Sequence, residues 1–119
     1  MSNDNKPVVL IVEDDWLIAT QLTSELEAQG AEVIISTSRA DGLTAMKRRP
    51  DLAILDVDLE DGPVWPLAAC LEEIGVPFVF RTAAPKKASQ RFPKRSVFDK
   101  LVSGSAILGA AMPPQAAFA

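Results

Sequence analysis

Short apolar runs alternate with amphipathic or turn-rich stretches along the whole chain, and that alternation predicts its elements. After Lys6 and Pro7 comes VVLIV (Val8–Val12), a continuous β-branched run of the kind found in strands covered on both faces. A helical pattern follows from Asp15 to Gln29, with Ile18, Leu22 and Leu26 four residues apart and Gly30 placed to end it. AEVIIS reads as a second strand. Ser38, with Asp41 three residues on, marks a helix start. Ala40, Leu43 and Met46 give that helix a narrow apolar face, and Pro50 stops it.

DLAILD is a third strand as apolar as the first, and DVDLEDGP after it is a loop of turn formers. Pro66 suits the first turn of a helix running through Ile74, with Gly75 at its end. VPFVFRT and SVFDK supply a fourth strand and a short fifth. Ser103 to Met112 forms a short, weakly amphipathic last helix. Five βα repeats with short connections predict an α/β fold built on a parallel sheet. One segment breaks the rhythm: between Thr82 and Ser96, Pro85, Pro93 and many cations leave almost no apolar stripe. A short or frayed helix around Lys86 to Arg91, or a mobile loop, is expected there.

Length and composition narrow the class. At 119 residues the chain is expected to be one domain, 1–119, with its core in 6–112 and a flexible tail, PPQAAFA, over 113–119. The start MSNDNKP lacks an apolar signal core and no apolar run approaches the roughly 18 residues of a membrane span, so a cytoplasmic protein without membrane contact is expected. The single cysteine, Cys70, excludes an internal disulfide and lies among Leu67, Ala68, Ala69 and Leu71, where a small buried residue is expected. Histidine is absent, which removes histidine-based catalysis and histidine metal sites.

Net charge is −4, too mild to name a partner, but its distribution is uneven. Seven of the sixteen acids fall in Glu13–Asp15 and Asp56–Asp61, whereas six of the twelve bases fall in Arg81–Arg95, a segment without acids. The acids stand at strand ends: Glu13 and Asp14 after the first, Asp56 after the third. Thr82 closes the fourth and Lys100 follows the fifth. Strand ends of a parallel sheet converge on one crevice. Carboxylates, a hydroxyl and an amine meeting there describe a magnesium-dependent phosphoryl site. Asp15, Asp58, Glu60 and Asp61 read as turn and capping acids, and Trp16 and Trp65 as packing residues flanking the site.

The motifs VVLIVEDD, ILDVDLEDG, FRTA and VFDK, in this order and at these distances, resemble the receiver domain of two-component response regulators from Lys6 to about Met112. The resemblance implies a doubly wound, flavodoxin-like sheet of five parallel strands in the order 2-1-3-4-5. It implies that Asp56 accepts a phosphoryl group from a histidine kinase or phosphotransfer protein. Asp14 and Asp56 would then bind Mg²⁺ directly, Glu13 through a water, and Asp58 through its backbone carbonyl. Lys100 would pair with Asp56 and later with a phosphate oxygen, and Thr82 would donate its hydroxyl to another. PFVFRTA (Pro77–Ala83) is similar to stand-alone receivers carrying Pro-Phe-x-Phe-Ala-Thr-Gly, which act by binding a partner or passing phosphate onward.

Several positions depart from that pattern. Val97 stands where the family usually has an aromatic, and its neighbour Phe98 should face the other side of the strand. Leu101 replaces a proline usually found in a cis peptide, so a trans bond and a shifted lysine loop are expected. Ala83 replaces a glycine and stiffens the switch loop. Arg81 is either a solvated strand residue, the favoured reading, or a contact to phosphate or partner. The basic stretch 86–95 is either a soluble surface or a docking site for a downstream protein; nucleic acid is not expected as a partner. Two other functions stay open: a haloacid-dehalogenase-type phosphatase using Asp56-Val57-Asp58, and a receiver-like docking module without phosphotransfer. A toprim-like metal site, Glu13 with that DxD, fits poorly because neither enzyme explains Thr82 with Lys100.

Overall fold

The computed structural model describes residues 6–112, so the expected flexible tail at 113–119 lies outside the described residues. The two fully apolar runs become the centre of the sheet. β1 (Val8–Val12) lies between β2 (Glu32–Ser36) and β3 (Leu52–Leu55), followed by β6 (Phe78–Arg81) and β7 (Val97–Phe98), all parallel. Numbered within this sheet alone, the order is 2-1-3-4-5, as expected. The extra pair, β4 (Asp58–Leu59) and β5 (Gly62–Pro63), is a small antiparallel hairpin formed within the stretch expected to be a loop.

Because successive strand residues point to opposite faces, β1 feeds two cores at once. Val9 and Ile11 join Ala19, Leu22 and Leu26 of α1 (Trp16–Ala28) and Ile107 and Leu108 of α5 (Gly104–Ala111). Leu10 and Val12 join Leu67, Ala68 and Leu71 of α3 (Trp65–Ile74) on the other face. Each such leucine or isoleucine contributes roughly 1.5–3 kcal/mol when fully buried. No helix among the described residues is long and apolar enough to cross a membrane.

The helix boundaries follow their caps. Asp15 accepts from the N–H groups of Leu17 and Ile18 at 3.0 and 3.2 Å, and Ser103 accepts from that of Ala106 at 3.1 Å. Ser38 accepts from the N–H of Asp41 at 3.0 Å and starts α2 (Arg39–Ala45), which tightens into a 3-10 turn over Met46–Arg48. The buried residue of α2 is Gly42, not Ala40, which is exposed. A Cβ at Gly42 would stand 2.6 Å from Leu67 Cδ2 and 3.3 Å from Val12 Cγ2, so the helix seats its backbone against β1 and α3 where the pattern predicted side chains. Cys70 is half-buried rather than buried.

α4 (Pro85–Arg91) is the expected short helix. It has one buried residue, Ala88, and is anchored by Phe92 just beyond its end. The Phe92 ring packs with Trp65, Phe78 and Phe80 at centroid distances of 6.2, 5.6 and 5.7 Å. Arg91 covers Trp65 and Arg95 covers Phe78, at 5.1 and 4.2 Å from the ring centres. Aromatic and cation–π contacts thus replace the missing apolar stripe. Trp65 is the packing residue expected; Trp16, 60% exposed, is not, because it sits on the outward face of the first turn of α1.

Candidate functional site at the carboxyl edge of the sheet

The backbone ladder runs past the strands and fixes the site residues. The Glu13 N–H donates to the Ser36 carbonyl at 3.0 Å, that of Asp56 to Val12 at 2.9 Å, and that of Thr82 to Phe98 at 3.0 Å. Residues from three separate strand ends therefore hold positions on one edge. Carboxylate oxygens of Glu13, Asp14 and Asp56 lie within 4.8 Å of one another. Lys100 reaches in from the loop after β7, its Nζ donating to Glu13 Oε1 and to Asp56 Oδ2, both at 2.7 Å.

Most of this cluster is dry. Glu13 is 4% and Asp56 8% exposed. Two carboxylates at about 4.8 Å repel by roughly 3.5 kcal/mol at an effective dielectric near 20. The Lys100 ammonium, closer to both, offsets that repulsion. Burial pushes the Glu13 carboxyl above its ordinary value, and the Asp56 charge adds to the rise. The bonds from Lys100 and from the Asp15 N–H act against it without cancelling it. Burial pulls Lys100 the other way, but its bonds to Asp56 and then Glu13 outweigh burial and hold the ammonium above its ordinary value. The remaining oxygens are also engaged: Asp56 Oδ1 accepts from the Val57 N–H at 2.8 Å and Glu13 Oε2 from the Asp15 N–H at 3.1 Å.

Thr82 is buried at the end of β6, and its hydroxyl oxygen accepts from the Ala84 N–H at 2.9 Å. That bond leaves the hydroxyl proton free to serve another acceptor. The Asp58 side chain is exposed and pairs with Lys87 of α4 at 3.6 Å. Three oxygen donors of mixed burial suit a hard divalent cation that keeps part of its water shell, so the donor set fits Mg²⁺.

Val97 and Phe98 divide as their neighbours require, Val97 packing on the α3 side and Phe98 on the α1 side. The peptide bonds of the described residues include no cis bond, as expected for Leu101. Arg81 corrects the favoured reading: it is not a solvated strand residue. Its Nε donates to the Val102 carbonyl at 2.9 Å, and its buried Nη1 has no hydrogen-bond partner among the described residues. Strand parity places Arg81 on the same face as Val79, the side covered by α1 and α5.

A second feature had no readable signal. The Asp61 carboxylate accepts from the N–H groups of Arg39 and Ala40 at 2.9 and 3.0 Å, while Arg39 Nη1 donates to the Pro63 carbonyl at 2.9 Å. These reciprocal bonds clasp the β4–β5 hairpin, which directly follows Asp56, to the start of α2.

A five-stranded sheet in this order, with acids and a lysine gathered at its carboxyl edge, defines a response-regulator receiver domain, and the chain belongs to that family. It is similar to SdrG from Sphingomonas melonis Fr1, at 34% identity over 93% of this chain and 98% of that one, with a TM-score of 0.75. A CheY-like response regulator receiver domain from Methanospirillum hungatei JF-1 shares the fold: 23% identity, 88% and 90% of the two chains, TM-score 0.76. The phyllosphere-induced regulator PhyR of Methylorubrum extorquens is 32% identical over 92 residues, which are 73% of this chain and 34% of that protein. The chain spans no more than 34% of the length of the curated relatives it matches. No protein-family model matches the sequence.

Proposed function

We propose that the chain is the phosphoacceptor of a two-component signalling pathway, with Asp56 taking a phosphoryl group from a histidine kinase or phosphotransfer protein. The observation that carries this reading is Lys100 bonded at once to Glu13 and Asp56 beside a third carboxylate, Asp14. An Asp56 oxygen forms its bond to phosphorus as the P–N bond of the donor phosphohistidine breaks. The bond pair leaves on the imidazole nitrogen, which takes up a proton. Asp14, Asp56, Glu13 and the Asp58 carbonyl would hold Mg²⁺, which when bound would offset the repulsion between the carboxylate and the incoming phosphoryl oxygens. Lys100 then shifts its bond toward a phosphate oxygen, and Thr82 donates its hydroxyl to another.

In this reading the protein assists only its own phosphorylation and dephosphorylation, and signals by changing its affinity for a downstream protein. The basic segment 86–95 is the proposed docking side. Lys87 and Arg91 line a groove of about 410 Å³ shared with Asp58, Pro63, Trp65 and Gln90. A phosphatase using Asp56-Val57-Asp58 needs the second acid at the reacting phosphate, and the outward Asp58–Lys87 pair weighs against that.

Incubation with acetyl phosphate and Mg²⁺ tests the proposal. One acid-stable, alkali-labile phosphoryl group per chain is expected, lost in Asp56→Asn. Sustained hydrolysis of a generic phosphate ester would instead favour the phosphatase, and an unlabelled wild type the docking module.

A further inference from the structure

We propose that Arg81 is a positioning residue that ties the Lys100 loop to the strand carrying Thr82, and so sets how firmly Lys100 is held over Glu13 and Asp56. The inference rests on the phosphoacceptor reading.

Arg81 is the last residue of β6, in register with Phe98 of β7, and Thr82 follows it directly. Its guanidinium crosses to the loop after β7 and donates from Nε to the Val102 carbonyl, two residues beyond Lys100. Apart from Arg81, the loop is held by the two bonds of Lys100 itself and, beyond Val102, by the Gly104 N–H donating to Glu25 Oε1 at 2.7 Å. Leu101 is 92% exposed, and the turn bonds from the Leu101 N–H to Asp99 Oδ1 and from the Val102 N–H to the Asp99 carbonyl are internal to it. Val102 packs against the α1 side of the sheet, where its carbonyl meets Arg81.

The cost of the arrangement argues for its use. Buried polar groups in folded proteins almost always have partners, yet Arg81 Nη1 has none among the described residues. A strand otherwise filled by Phe78, Val79 and Phe80 would accept an apolar residue at 81 more cheaply. What the guanidinium adds is its bond to the Lys100 loop.

Lys100 and a divalent cation need the same carboxylates, Glu13 and Asp56. Cutting the tether lets the ammonium withdraw, which removes a competitor for the metal and a partner for the phosphoryl group. The two effects have opposite signs, and a general loosening of the fold does not produce that pair.

Wild type, Arg81→Ala and Arg81→Lys are compared in Mg²⁺ titrations by calorimetry and in the rate of acetyl phosphate labelling at saturating Mg²⁺. Arg81→Ala should bind Mg²⁺ about 2- to 10-fold more tightly and label about 2- to 10-fold more slowly, the range that one hydrogen bond commands. Arg81→Lys, which keeps a donor, should fall nearer wild type. Should Arg81→Ala fail to fold, Arg81→Met, which keeps the stem but has no donor, takes its place. Unchanged affinity and rate, or a parallel loss of both, overturns the proposal. A wild type that neither binds Mg²⁺ nor takes label overturns the phosphoacceptor reading instead. The tether is then judged by the NMR signal of the Lys100 ammonium, which Arg81→Ala should move toward that of free lysine; an unmoved signal refutes it.

Discussion

Lys100 Nζ stands 2.7 Å from Glu13 Oε1 across 87 residues of sequence, and this pair closes the site from above β1. Replacing Lys100 with methionine keeps the stem but leaves buried Glu13 and Asp56 facing each other without a cation. Removing one partner of a fully buried pair costs about 3–5 kcal/mol. Because the Lys100 side chain keeps 23% exposure, the metal-free Lys100→Met variant should lose about 2–4 kcal/mol in urea unfolding. Added Mg²⁺ should restore more stability to the variant than to wild type; equal recovery in both would remove the premise that the two cations share ligands.

Glu13→Gln tests the same crowding from the acid side. Since burial and the Asp56 charge hold Glu13 above its ordinary value, the folded state disfavours its ionised form. The metal-free variant should match or exceed wild type in thermal stability at neutral pH, by up to about 1 kcal/mol. Its Mg²⁺ affinity should fall, as read by calorimetry.

Gly42→Ala probes the fold rather than the chemistry. The added methyl meets Leu67 Cδ2 at 2.6 Å in a core on both sides, so α2 must lift or Leu67 must leave its rotamer. A loss of about 1–3 kcal/mol in denaturant unfolding is expected, with Mg²⁺ affinity retained.

The hairpin clasp gives a double-mutant test. Gly62 has φ +125°, and a Cβ there would lie 2.7 Å from Arg39 Nη1. Gly62→Ala should destabilise by about 1–3 kcal/mol through backbone strain and displacement of Arg39. Combined with Arg39→Ala, the displacement part has already been removed, so the two losses should sum to more than the double variant shows. Strict additivity would mean that Arg39 moves aside freely.

Asp61 gives the clasp a pH signature. The N–H groups of Arg39 and then Ala40 hold its carboxyl below the ordinary value of 3.8. A lowered folded value means that its stabilisation is complete above 3.8 and is lost as pH falls through the lower folded value. Asp61→Asn should melt below wild type at neutral pH, and the gap should close on acidification through that window. A gap that is independent of pH would assign the effect to lost shape rather than charge.

Strands, caps and site acids were legible because each depends on local pattern. The β-branched runs, Asp15, Ser38 and Ser103 all act within a few residues, and strand ends of a parallel sheet converge whatever the helices do. α2 misled because its apolar face is made by an absence: Gly42 lets backbone approach Val12 and Leu67, and no periodicity of side chains registers that. Trp16 misled because the outward face of a first turn tolerates a large ring.

The sequence by itself determined the five-strand rhythm, its break between Thr82 and Ser96 and the residue types at the sheet's carboxyl edge, since periodicity and turn chemistry are properties of neighbours in the chain. Only the tertiary structure decided which oxygens Lys100 holds, that Arg81 turns inward to Val102, and that Asp61 caps a helix begun 22 residues before it. Those contacts are choices among many polar partners at similar sequence distance, and what selects among them is the close packing of two faces around one sheet.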